Sequence, residues 1–310
     1  MRWSDLTPGE AARRLRREGL RWDIGAVALQ VRSDAPGLAE ALRHLYADYP
    51  LQLPPWNAPP LCHLTLRQDG GWRRWLRPRV HFALDGPSPF HPFPLDHALP
   101  LFEWGFNFTI ASRAHHFLIL HAAVLERGGK ALLLPGEPGS GKSTLAAALA
   151  LSSGGWRLLS DEFGLLRPET GLLHPAVRPI ALKNASIGVL RAFAPTATLG
   201  PEYPKTRKGV VAHLRPPTNA VDRRHEAAPP AWIVLPQFIP DAPLTWIPLS
   251  PEERLLRLGG NAYNYELQGE RGFRAVAALA RARPGWILRY GHLEEAVAAL
   301  DAVEQREWER

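Results

Sequence analysis

The run Gly136-Glu137-Pro138-Gly139-Ser140-Gly141-Lys142-Ser143-Thr144 matches G-x-x-x-x-G-K-[ST] at every fixed position. Its chemistry is phosphate binding. Successive backbone N–H groups and a helix N-terminus face the phosphate chain, and the lysine reaches the β- and γ-phosphates. The serine hydroxyl at Ser143 is placed to ligate Mg²⁺. A plain helix-capping turn would need one glycine and has no use for Lys-Ser after it.

Phosphoryl transfer needs more than a cradle. It needs a metal-binding carboxylate, a group that orients or deprotonates the nucleophile, and cations for the transition-state charge. Asp161 and Glu162 end an apolar stretch about twenty residues after Lys142, where such a carboxylate belongs. Neighbours at a strand end point to opposite faces, so one is expected to hold Mg²⁺ and the other to face the acceptor. His121 lies in Leu120-His121-Ala122-Ala123, where the small residues leave room for a ligand and a satisfied core histidine is the equal alternative. Only five lysines occur, Lys130, Lys142, Lys183, Lys205 and Lys208, in a chain that otherwise uses arginine. An ammonium is a compact point charge that a guanidinium fork does not replace. Lys183, Lys205 and Lys208 therefore join the candidate nucleotide-binding set with residues 136–144. Arg207 joins Asp161, His121 and Lys142 as a catalytic candidate. The basic loop Lys205–Gly209 is expected to close over the phosphates, with an ordinary surface loop as the alternative.

These residues need elements to hold them. Lys130–Pro135 reads as a buried strand before the glycine-rich loop and Leu145–Leu151 as a helix after it. Phe117–Leu125 reads as a strand that turns back at Gly128-Gly129. Trp156–Ser160 is a second apolar strand, and Phe163–Leu166 continues extended. Leu172–Leu182 reads as a returning strand broken by prolines. Short turns between these neighbours imply antiparallel pairing around the loop. Toward the C-terminus, helices are expected over Glu270–Ala282 and Leu293–Glu307, with a strand at Trp286–Tyr290 between them. Upstream, Thr7-Pro8-Gly9-Glu10 is a helix start. Strands follow at Ile24–Val31, Leu61–Arg67, Trp72–Leu76 and Arg79–Leu84, with a helix over Gly37–Tyr49 and loops over 50–60 and 86–94. Residues 1–95 read as a small α+β module and 96–310 as the nucleotide-binding domain, joined by a linking helix over Leu99–Ala114.

His121-Ala-Ala-Val-Leu-Glu, Gly-Gly-Lys130-Ala-Leu-Leu-Leu-Pro-Gly136, Gly-Ser-Gly-Lys142-Ser143 and Leu-Leu-Ser-Asp161-Glu162 together resemble the catalytic domain of bacterial HPr kinase/phosphorylase. More closely they resemble the HPr-kinase-related proteins of the kinase A type. Pro179-Ile-Ala-Leu-Lys183-Asn, Lys205-Thr-Arg207-Lys208-Gly209 and Leu235-Pro236 also fit, over about residues 115–300. The resemblance implies a phosphate-loop mixed sheet of the HPr kinase and phosphoenolpyruvate carboxykinase type. It implies Asp161 as the base for the acceptor hydroxyl, Glu162 where the family has an aspartate that helps bind Mg²⁺, and His121 near the active site. The chain departs from HPr kinase at Thr144, where that enzyme has glutamate, and in lacking its glycine-rich signature in the second half. Some relatives phosphorylate serine on ribosomal peptides, and HPr kinase itself forms hexamers.

With 310 residues and 45% hydrophobic content the chain can bury a sizeable core, and its formal charge is +7 with a pI near 9.9. The arginines are scattered, so no nucleic-acid partner is expected. The dense run Arg13–Arg21 reads as a solvated helix face. Cys62 is the only cysteine, so neither disulfides nor a cysteine zinc site is expected. No apolar run approaches the roughly 20 residues that span a bilayer, and no signal peptide is visible, so the expected location is cytoplasmic with no membrane partner. The expected function is an ATP- and Mg²⁺-dependent kinase acting on a hydroxyl, a serine of a protein or peptide, with oligomerisation left open. The rivals are an ATP- or GTP-hydrolysing switch and an ATP-sensing scaffold.

Overall fold

Helix α1 (Pro8–Arg17) begins at the capping box that its sequence announces. The Glu10 amide donates to the Thr7 hydroxyl, and the Thr7 amide donates to the Glu10 carboxylate. The computed structural model describes residues 1–52 and 59–302, so the centre of the loop expected over 50–60 lies outside the described residues. Strands β1 (Leu20–Asp23), β2 (Ala28–Ser33), β3 (His63–Gln68), β4 (Arg79–Leu84) and β5 (Phe93–Pro94) form a five-stranded sheet in that order. Helix α2 (Leu38–Leu45) packs with α1 over it, shorter than the expected 37–49.

Two expectations fail in this part, each for a local reason. Of the strand expected over Ile24–Val31, residues 24–27 form the connection between β1 and β2 and only the part from Ala28 on is strand. Gly25 (φ +117°) brings its backbone against the carbonyls of Pro175 and Arg224, where a Cβ would collide. The Ala26 amide donates to the Pro175 carbonyl at 2.8 Å, and the Val177 amide donates to the Ile24 carbonyl at 2.9 Å. The strand expected over Trp72–Leu76 is instead a helical turn, α3 (Arg73–Leu76). Because β3 and β4 pair directly from Gln68↔Val80 onward, residues 69–78 are only their connection and have no strand to pair with.

Helix α4 (Ala98–Arg113), expected as a linker, is a core element. Phe102, Phe106 and Ile110 are fully buried on it. The main sheet follows, built from β6 (Leu118–Arg127), β7 (Lys130–Pro135), β8 (Arg157–Ser160), β9 (Phe163–Arg167) and β10 (Leu172–His174). After β11 (Ile180–Lys183), β12 (Tyr203–Thr206) and β13 (Gly209–Leu214), it is completed by β14 (Pro230–Phe238), β15 (Thr245–Pro248) and β16 (Gly285–Tyr290). Its order is β10-β9-β6-β7-β14-β16-β15, with β8 also paired to β6. β7, β14 and β16 run parallel and the remaining pairs antiparallel. The architecture is thus α/β with mixed sheets and no barrel. Helix α5 (Lys142–Leu151) is mostly buried, which explains its run of Ala and Leu.

The stretch expected to return as one strand over Leu172–Leu182 serves two sheets. β10 pairs with β9, and β11 joins the separate sheet β11-β13-β12. Pro175 and Pro179 lie between them and offer no N–H to continue a ladder. Helices α6 (Ala185–Phe193), α7 (Thr218–Asp222), α8 (Pro251–Gly260), α9 (Tyr265–Ala282) and α10 (Leu293–Ala302) complete the chain. α9 starts earlier than expected, through a kink at Gly269 (φ 53°). The expected extension of the last helix to Glu307 lies outside the described residues.

Candidate functional site

The glycine-rich loop joins β7 to α5 in the expected strand–loop–helix order. Gly139 (φ +89°) and Gly141 (φ +92°) use the left-handed region that glycine adopts at no steric cost. Gly141 also has no room for a Cβ, which would strike the Tyr290 hydroxyl and Phe238. The next strands hold the loop from outside: the Phe238 amide donates to the Ser140 carbonyl at 3.0 Å, and the Tyr290 hydroxyl donates to the Gly141 carbonyl at 3.5 Å. Lys142 is 6% exposed, with its Nζ 3.4 Å from the Gly136 carbonyl. Burial lowers its pKa, Glu162 and Asp161 oppose that, and Lys183 adds to it. The Ser140 hydroxyl is buried without a partner.

Asp161 and Glu162 form the bend between β8 and β9. Both strands pair with β6, through Val124↔Ser160 on one side and His121↔Phe163 on the other. The same strand therefore presents His121 to the bend, and His121 Nε2 is 3.5 Å from Glu162 Oε2. The two carboxylates sit in a bend, where strand alternation does not apply, and both act on Lys142.

Their environments push them apart. Asp161 is 5% exposed, and neither carboxylate oxygen has a hydrogen-bond partner. Burial, then the neighbouring Glu162 charge, pushes its pKa up to about 7 against the pull of Lys142, Ser143 and Lys183. Ser143 is near enough to favour the ionised form, yet no hydrogen bond of normal geometry joins the two. Burial also works against ionisation of Glu162, but His121, Lys142 and Lys183 outweigh it and hold its pKa low. Two adjacent carboxyls with opposed shifts can divide acid–base and charge-binding work.

His121 is held from a third side. Its amide donates to the Asn261 carbonyl at 2.6 Å, and its ring lies 5.4 Å from that of Tyr263. Asn264 fixes the same segment, accepting from the Ile119 amide and donating to the Phe117 carbonyl. Lys183, the last residue of β11, exerts its charge on Asp161, Glu162 and Lys142. Lys208 joins the cluster, its pKa lowered by burial and by Lys183 and raised by Glu162. Of the loop expected over Lys205–Gly209, only Arg207 and Lys208 form the turn of the β12–β13 hairpin, while Lys205 lies in β12 and Gly209 opens β13. Asn184 (φ 52°), just after β11, grips the turn: its Nδ2 donates to the Lys208 carbonyl and its Oδ1 accepts from the Val210 amide. Lys205 (φ 59°) is exposed near the end of β12.

Arg207 turns the other way, with its guanidinium carbon 5.6 Å from the Trp104 ring centroid. Both line a cavity of about 150 Å³ between α4 and the three-stranded sheet, which also touches Glu162, Lys183 and Lys208. Trp104 and Asn107 read in sequence only as helix residues, and Arg178 and His213 carry no motif. Arg178 donates to Glu103 Oε2 and to Asn107 Oδ1, each at 2.6 Å, and Glu103 Oε1 accepts from the Tyr46 hydroxyl at 2.7 Å. This buried network ties α2 and α4 to the segment entering β11.

Among the described residues there is no cluster of three or more His, Cys, Asp or Glu side chains that could hold a metal ion. Mg²⁺ needs none, since it keeps waters and takes one or two carboxylates plus substrate phosphates. Ser143, Glu162 and the unpartnered Asp161 oxygens make a donor set of that kind. No helix among the described residues is long and apolar enough to cross a membrane. No protein-family model matches the chain, and no curated protein matches it.

Proposed function

We propose that the chain is an ATP- and Mg²⁺-dependent kinase that phosphorylates a hydroxyl, a serine of a protein or peptide, on a fold of the HPr kinase and phosphoenolpyruvate carboxykinase type. The observation that carries this reading is Asp161. A carboxyl buried with both oxygens unpaired, beside a glycine-rich loop and its lysine, costs stability that a substrate contact offsets. Its pKa of about 7 suits a general base near neutral pH.

In this reading residues 136–144 wrap the phosphates and Lys142 meets the β- and γ-oxygens. Mg²⁺, when bound through Ser143 and Glu162, supplies charge neutralisation. His121 keeps Glu162 oriented. Asp161 takes the proton of the acceptor hydroxyl as its oxygen bonds to the γ-phosphorus and the bond to the β,γ-bridging oxygen breaks, leaving ADP. Lys183 and Lys208 add positive charge where it develops in the transition state. Arg207 is placed toward the acceptor, while the exposed position of Lys205 argues for a surface role.

The test uses γ-labelled ATP, Mg²⁺ and serine peptides with the full chain. Lys142→Ala should lose ATP affinity by calorimetry. Asp161→Asn should keep ATP binding and lose turnover roughly 10²–10⁴-fold. Label appearing only as inorganic phosphate would favour a hydrolysing switch. Normal transfer by Asp161→Asn would remove the base.

A further inference from the structure

We propose that the cavity between α4 and the β11-β13-β12 sheet is a specificity pocket that receives an aromatic side chain of the acceptor, adjacent in sequence to the hydroxyl that is phosphorylated. The inference rests on the kinase reading and adds the acceptor class to it.

Position comes first. The cavity shares Glu162 and Lys183 with the carboxylate site, yet no residue of 136–144 lines it. A group bound there meets Glu162 and Lys183 without touching the glycine-rich loop, so in the kinase reading it belongs to the acceptor and not to the phosphate donor. Size comes next. A cavity of about 150 Å³ is the size that holds a benzene-sized group in a protein interior.

The walls suit a ring. Phe93, Pro100, Pro179 and Val211 supply apolar surface around Trp104. Trp104 is fixed in place by stacking on Phe90, with centroids 4.7 Å apart and planes at 18°. Aromatic pairs of this kind add to area burial. His213 at the same wall is buried, its Nδ1 has no partner, and burial lowers its pKa, so it presents a neutral ring. The Arg178–Glu103–Tyr46 network holds α4 against the entry to β11, so the pocket exists before the acceptor arrives and little ordering cost remains to be met on binding. Lys183, Arg207 and Lys208 stand at the same cavity. They repel lysine and arginine next to the acceptor hydroxyl.

The experiment compares acetyl-Ser-Phe-amide and acetyl-Phe-Ser-amide with acetyl-Ser-Ala-amide, using the full chain, γ-labelled ATP and Mg²⁺. Burying a phenyl ring predicts kcat/KM higher by roughly 10- to 100-fold for at least one aromatic peptide. Ala181→Phe, which fills the cavity from β11, should erase that preference while ATP affinity by calorimetry stays unchanged. Trp104→Leu, which removes the ring wall, should weaken the preference if Ala181→Phe fails to fold. Saturation-transfer NMR on the peptide ring protons needs no turnover. Ring saturation in the wild type and its loss in Ala181→Phe support the pocket even if no hydroxyl is phosphorylated, an outcome that sinks only the kinase reading. Equal rates for all three peptides, or a preference that survives Ala181→Phe, overturn the pocket and leave the kinase standing. Free 2-phenylethanol phosphorylated faster than every peptide overturns the assignment of the ring to a peptide side chain.

Discussion

Replacing Asp161 by asparagine should make the protein more stable at pH 8 while disabling the site. The wild-type carboxyl is 5% exposed and has no hydrogen-bond partner for either oxygen. Burial and the Glu162 charge raise its pKa from 3.8 to about 7 in the folded chain. A raised pKa means that the folded state favours the protonated form. The associated stability is fully present below the unfolded value and is lost as pH rises through the folded one. The interval spans about three pH units at ~1.4 kcal/mol each, or about 4 kcal/mol between pH 4 and pH 7. Asparagine keeps the size and never ionises, so the loss disappears. Some attraction to Lys142 disappears with it. The expected gain for Asp161→Asn at pH 8 is therefore roughly 2–4 kcal/mol, against a near-zero difference at pH 4. Urea unfolding of both proteins without nucleotide, followed by circular dichroism at pH 4, 6 and 8, reads the difference directly. Taking the difference cancels groups whose titration the substitution leaves alone. Parallel curves, or a variant less stable at pH 8, would refute the idea that this carboxyl is held at a stability cost.

Three further outcomes follow from the packing. Glu103→Ala leaves the buried Arg178 guanidinium and the Tyr46 hydroxyl without their carboxylate and should cost roughly 3–5 kcal/mol in urea unfolding, whereas Tyr46→Phe should cost about 1 kcal/mol. Gly141→Ala forces a methyl at φ +92° against the Tyr290 hydroxyl. It should lose about 1–3 kcal/mol and weaken ATP binding by calorimetry, and Tyr290→Phe in the same chain should restore only the steric part. Gly209→Ala, at φ +83° and with a Cβ that would collide with the Asn184 amide, should loosen the β12–β13 hairpin, read as faster amide hydrogen exchange at Val210 and Val211.

What the sequence made legible was local. The glycine-rich loop, its strand and its helix are contiguous, and each carries its own signature. Asp161 and Glu162 could be placed because they end an apolar stretch about twenty residues after Lys142. Ser250-Pro251-Glu252-Glu253 carries the same capping box as Thr7-Pro8-Gly9-Glu10, and α8 starts there. The pocket was not legible. Trp104, Arg178 and the hairpin pair Arg207 and His213 come from three segments that meet only in the fold, and no spacing rule connects them. The reach of Arg207 toward Trp104 and the outward turn of Lys205 depend on the hairpin register. Asn184 braces the turn through hydrogen bonds to the Lys208 carbonyl and from the Val210 amide, and no side-chain pattern in the hairpin itself announces that brace. The break at Gly25 likewise comes from a backbone meeting it more than a hundred residues later.

That meeting has an evolutionary consequence. The N-terminal sheet is stitched to the segment between β10 and β11 there by main-chain groups, Ala26 to Pro175 and Val177 to Ile24. Main-chain hydrogen bonds carry no residue identity, so nearly every side chain along the stitch is free to drift while the docking persists. Gly25 is the exception, because only a residue without a Cβ fits between the two carbonyls. Two descendants of one ancestor can therefore keep this joint with a single glycine in common. Their kinship would be visible in the path of the backbone long after it had vanished from the letters of the first hundred residues.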